Sequence, residues 1–136
     1  MESFEFASYV RGYHAYQSKW TPCDGEVLRC FREPDNTEDK EAVAVKKEPH
    51  LDVLGHLPSY FNKFVFRFLR RSTNSACLTV TGKPVNRGAG LGMEVPCIYE
   101  FRGDSFSINW LRSKIETKKK YMDEACKEGR GKKRKM

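Results

Sequence analysis

The sequence predicts a mainly β fold: a small, mostly antiparallel barrel of six short strands with one internal and one C-terminal helix. Three observations lead there. Short alternating or β-branched runs recur between turn clusters such as Thr21-Pro22-Cys23-Asp24-Gly25 and Pro34-Asp35-Asn36. A helical apolar period appears in only two places, Phe61 to Leu69 and Ile108 to Met122. Finally, 136 residues suffice for one domain with a core but not comfortably for two.

Taken in order, a first strand is expected from Phe4 to Val10, running on toward Tyr13 and Tyr16. Val27 to Glu33 forms a second, with Leu28 and Cys30 sharing a face. Ala42-Val43-Ala44-Val45 is a third, and Val53 to Leu57 a short fourth in which Gly55 marks a bulge or a close backbone approach. Pro58-Ser59 opens the internal helix, since proline suits a first helical position, and Phe61, Phe64 and Phe68 are its core stripe. Ala76 to Val85 and Glu94 to Arg102 complete the strands, the last alternating through Val95, Cys97, Tyr99 and Phe101. Asp104 or Ser105 caps a final helix whose apolar stripe fades into Lys118-Lys119-Lys120. The division is a domain over 1–116 and a basic tail over 117–136, helix end and then disorder.

Charge is concentrated at that tail. The net charge is +7, yet nine basic against three acidic residues lie from Thr117 onward, leaving sixteen against fifteen before it. A basic cluster at Lys132, Lys133, Arg134 and Lys135 suits nuclear import or non-specific phosphate contact. No apolar run approaches membrane-span length, and the acidic start lacks an apolar h-region, so an intracellular, nuclear protein with no membrane partner is expected. Five cysteines show no metal-ligand spacing; Cys30, Cys77 and Cys97 are expected as small buried hydrophobes on strands. No metal or cofactor is called for.

The functional signal lies in Arg32 to Val43. Proline and Asx residues make a tight turn there, and charge on a short loop between strands is where binding residues collect. Asp39 and Asn36 have a plainer role as well, as side chains that tie down their own loop. His56 suits a strand-end residue bonded to backbone. Pro34-Asp35 with Glu38-Asp39-Lys40 imitates a nuclease triad, but all five residues fall in one turn, so the acids do not converge on a metal. With no phosphate loop and no nucleophile elbow, the chain is not expected to be an enzyme.

The run Arg32-Glu33-Pro34-Asp35-Asn36-Thr37-Glu38-Asp39-Lys40-Glu41-Ala42-Val43-Ala44-Val45, followed by Val53-Leu54-Gly55-His56-Leu57, resembles the HIRAN domain, over roughly residues 4 to 112. The resemblance implies an OB-like barrel of HIRAN type. It also implies a module that holds single-stranded DNA or its 3′-hydroxyl end, in DNA repair, replication or a mobile-element context, beside an ATPase or other DNA-processing protein. It places Asp39 at the terminal hydroxyl and Asn36 on the same loop, makes Tyr13 and Tyr16 stacking aromatics, and adds His56 and Met93 to the site. A carboxylate suits a hydroxyl donor and repels a terminal phosphate. The chain carries Pro58-Ser59 where DNA-end binders carry lysine, and Met93 where they carry an aromatic. Those two positions motivate the alternative, a protein-interaction or assembly module on the same fold.

Overall fold

The computed structural model describes residues 1–88, 90 and 92–134, with side chains described as far as Met122. The elements are β1 (Glu2–Val10), α1 (Tyr13–Tyr16), β2 (Val27–Arg32), β3 (Val43–Lys47), β4 (Asp52–His56), α2 (Asn62–Phe68), β5 (Ser75–Val80), β6 (Val85–Asn86), β7 (Met93–Gly103) and α3 (Ser105–Arg134). One antiparallel sheet runs β1-β7-β5-β2-β3-β4, with β6 paired to β7. The fold class is the expected one, with seven strands in place of six.

The sheet is not closed by a ladder. Its edge strands β1 and β4 meet only at a bridge between Arg11 and His56, which exchange two backbone hydrogen bonds of 2.9 Å. Gly55 permits that approach: a Cβ there would lie 2.5 Å from Val10 Cγ1 and 2.7 Å from the Arg11 carbonyl oxygen. The register of β3 against β4 also shifts between Val45 and Lys46. Both readings of this glycine, bulge and close approach, hold.

Alternation along β7 determines the core. Val95, Cys97, Tyr99 and Phe101 are buried, as the strand period requires. Phe6, Phe61, Tyr99, Phe101 and Phe68 meet in edge-on or stacked pairs. Ile108, Leu111 and Ile115 of α3 are fully buried, one helix face against the core. Asp104 caps α3, accepting the Ser107 N–H at 2.8 Å. Cys30 and Cys97 are buried as expected and Cys77 is half-buried; burial pushes the Cys97 thiol up to about 12.

Three expectations are corrected. The first strand stops at Val10, because Gly12 at φ +81° turns the chain into α1, where Tyr13 and Tyr16 sit. The internal helix starts at Asn62, one turn later than Pro58; the Pro58 carbonyl instead closes a turn to the Phe61 and Asn62 N–H groups. The fifth strand ends at Val80, and after Pro84 the chain makes the two-residue β6, the extra strand. Helix α3 runs from Ser105 to Arg134. Phe64, placed in the core stripe, is half-buried against Trp110.

Candidate functional site

The loop between β2 and β3 holds itself together. The Asn36 side-chain oxygen accepts the Glu38 and Asp39 N–H groups at 2.9 and 3.0 Å, while its amide donates to Glu33 Oε1 at 2.8 Å. Asp39 Oδ1 accepts the Glu41 N–H at 2.9 Å, and Oδ2 accepts the Asn62 side chain at 2.8 Å. Backbone bonds from Glu33 to Ala42 and from Ala42 to Asp39 seal the base. Asx chemistry thus fixes the loop and pins it to α2. Each Asp39 oxygen makes one such bond, and a carboxylate oxygen has capacity for a second.

Against this loop lies a cavity of about 450 Å³ lined by Tyr16, Glu33, Asp35, Asn36, Thr37 and Glu38. His56 reaches its wall from β4, with Nε2 donating to Glu33 Oε1 at 2.8 Å. The Tyr16 ring stands 6.2 Å from the His56 ring, tilted by 47°. Burial of Glu33 pushes its pKa up, but the bonds from Asn36 and His56 overcome this and hold it below its ordinary value. Burial and then the charges of Glu33 and Glu38 raise the Tyr16 hydroxyl, which keeps it a donor. The cavity is acidic and polar, suited to hydroxyl donors and hostile to phosphate.

The structure therefore brings Asn36, Tyr16 and His56 together. Asp39 turns its carboxylate to α2 and is not part of the cavity lining. Tyr13 packs edge-on against the buried Trp20, 5.9 Å between centroids. Met93 starts β7 and is 38% exposed, beside Gly92, which lies close to His14 of α1. The side chains of Lys132, Lys133, Arg134 and Lys135 lie outside the described residues.

Across the Arg11–His56 bridge sits a cationic array that sequence reasoning missed. Glu94 is fully buried, and its two oxygens accept Arg11 Nε at 3.2 Å and Arg87 Nε at 2.9 Å. The Arg87 guanidinium covers the Tyr9 ring at 3.9 Å, and Arg11 Nη1 donates to Ser59 Oγ at 3.2 Å. The hydrogen bond to Glu94 raises the Arg87 pKa further. With Lys119 and Tyr60 they line a cavity of about 310 Å³, where guanidinium edges held from behind present their remaining donors. The pairing Val10↔Val95, continued by one residue, sets Arg11 opposite Glu94. That register cannot be read from composition or period.

Comparison with known proteins bears on all of this. The HIRAN domain family model matches residues 3–97. The fold is similar to the crystal structure of the HIRAN domain of human HLTF, with a TM-score of 0.65, 18% identity, and coverage of 84% of this chain and 88% of that one. It is also similar to the NMR structure of the HLTF HIRAN domain in its DNA-bound conformation, at a TM-score of 0.60 and 18% identity over 84% of this chain and 87% of that one. No curated protein matches the chain. A family match that spans the loop, the bridge strand and the start of β7 leaves one conclusion: the chain belongs to the HIRAN domain family.

Proposed function

We propose that the chain is a non-enzymatic nucleic-acid-binding module that takes the 3′-hydroxyl end of a single DNA strand. One observation carries this reading. A hydroxyl-accepting, phosphate-repelling cavity and a cation array flank the same backbone bridge, Arg11–His56. A strand terminus offers those two chemistries side by side: a hydroxyl that donates, then a phosphodiester that needs cations. Tyr16 is the stacking ring at the terminus and Met93 an apolar neighbour. Support also comes from the family, one of whose members has a DNA-bound structure. The basic tail directs the protein to the nucleus, and its partner is an ATPase or other DNA-processing protein.

The test compares labelled single strands ending in 3′-hydroxyl or 3′-phosphate. The proteins are wild type, Asn36→Ala, and a tail variant with residues 132–135 changed to Gln. A hydroxyl preference that persists in the tail variant and disappears in Asn36→Ala is the expected result. Equal binding of both ends by wild type removes the end-binding claim. The second reading, a protein-interaction module, draws on a groove of about 270 Å³ beside Phe106, which is 74% exposed, and Trp110; absence of strand binding by any of these proteins favours it.

A further inference from the structure

The ladder between β2 and β5 stops at Arg29–Cys77, although β2 continues to Arg32 along β3 and β5 begins at Ser75 along β7. The two strands therefore part. Backbone edges at 30–32 and 75–76 face each other across a groove of about 450 Å³, where groups left out of a ladder are available to a ligand. Arg29 and Arg32 are the cations of its lining, Arg29 already ion-paired with Glu48 at 2.8 Å, and Arg70 shares a ring with Arg32 at its edge. The guanidinium of Arg32 lies 5.4 Å from the centre of the Phe66 ring, and that of Arg70 lies 5.6 Å from the same ring. Neither has an ion-pair partner among the described residues. On β2 and β3, Arg29 and Lys46 are cross-strand neighbours, 5.3 and 5.4 Å from the half-buried Phe31 ring.

Packing a guanidinium on a ring holds it in place before any ligand arrives, which lowers the cost of ordering it later. Two such groups gathered on one phenyl ring, without a counter-charge, present a ready-made anion site. The aromatic between two further cations adds what a phosphate site alone would not need, a face on which a base can stack. Position is the other guide. Arg32 and Pro34 line this groove, whereas Glu33, Asp35 and Asn36 line the acidic cavity. Residues 32 to 35 of one short segment thus form a wall shared by the two.

We infer that the groove between β2 and β5 is a second contact surface for a single nucleic-acid strand, with Arg32 and Arg70 on its phosphates and Phe31 against a base. A strand whose terminal phosphodiester is held by Arg11 and Arg87 reaches these cations only with nucleotides farther from its end, on the far side of the Pro34 wall. This inference rests on the nucleic-acid reading above. It adds contacts for nucleotides remote from the end, and it selects a strand over an acidic peptide because the ring and the shared wall both lie on the strand's path.

The experiment uses the full chain and the double variant Arg32→Gln/Arg70→Gln, with 3′-hydroxyl strands of about 6 and about 20 nucleotides, a span that exceeds one barrel site in the longer case. Anisotropy titrations at several salt concentrations give the affinity and its salt slope. The double variant is expected to bind the short strand as wild type does. On the long strand its logarithmic salt slope falls by about 1.4, at about 0.7 per phosphate, which is about sevenfold less loss of affinity across a fourfold rise in salt. Phe31→Ala weakens only the long strand and leaves the slope unchanged. An unchanged slope in the double variant, with strand binding intact, overturns the groove and leaves the end site standing. A double variant that loses polyglutamate binding while its strand binding is unaltered overturns it in favour of an acidic protein. If wild type binds neither strand, the nucleic-acid reading fails and this inference fails with it.

Discussion

Glu94 is fully buried and bonded to two arginines whose outer edges reach solvent. Removing one member of such a cluster leaves the others desolvated and unmatched, which typically costs 3–5 kcal/mol for fully buried pairs. Here both guanidiniums are partly hydrated, at 23% and 40% side-chain exposure, so Glu94→Gln is expected to destabilise by about 2 kcal/mol. Arg87→Ala should cost less than Arg11→Ala, because Arg11 is less exposed and also holds Ser59; urea midpoints of the three variants check the order. Glu33 offers a pH test. Its folded pKa is held below its ordinary 4.5, so its contribution is fully present above that value and is lost as pH falls through the folded pKa. Thermal melts from neutral to acid should therefore show a decline below about pH 4.5 that is shallower in Glu33→Gln. Asn36→Ala removes three bonds of the loop and should cost about 1–2 kcal/mol at neutral pH, and less once Glu33 is protonated, because one of the three is made to its carboxylate.

Gly55 is where strand pairing decides whether the two edges of the sheet can meet. A methyl group there would collide with Val10 Cγ1 and, less forgivingly, with the Arg11 carbonyl, which belongs to backbone and moves only with β1. Gly55→Ala is expected to destabilise by about 2 kcal/mol or more. It should also raise hydrogen exchange at the Arg11 and His56 amides, whose mutual bonds form the seam; unchanged exchange there would show that the seam yields without opening. The seam also shows which information a sequence carries. Alternation made β7 legible because every second residue faces one core, and turn chemistry made the Asn36 loop legible because Asx side chains act within a few residues of themselves. Gly12 was harder: its positive φ, not any apolar period, ends β1 and removes Tyr13 toward Trp20. The Arg11–Glu94 and Arg32–Phe66 contacts join residues 83 and 34 positions apart, and their meeting is a property of register and topology.

At the scale of the whole molecule, the arrangement of charge matters more than its sum. Three carboxylates, on Glu33, Asp35 and Glu38, line one cavity, while arginines line both neighbouring surfaces. That separation yields a prediction about end discrimination which a uniformly basic protein would not share. Two unit charges about 7 Å apart in water interact by about 0.6 kcal/mol, and less as salt shortens the screening length. Asp35→Asn with Glu38→Gln removes two exposed carboxylates without touching the Glu33–His56 bond. The preference for a 3′-hydroxyl over a 3′-phosphate end should then narrow by about sevenfold at low salt, almost wholly through tighter binding of the phosphate. Neutralising the basic cluster at 132–135 should act differently. A charge remote from the terminus attracts both ends alike, so affinity falls for both and their ratio stays constant. Competition titrations with the two ends at low and moderate salt separate these effects. If the carboxylate pair leaves the ratio unchanged while the tail variant alters it, discrimination resides in the tail and the cavity is only a loop support.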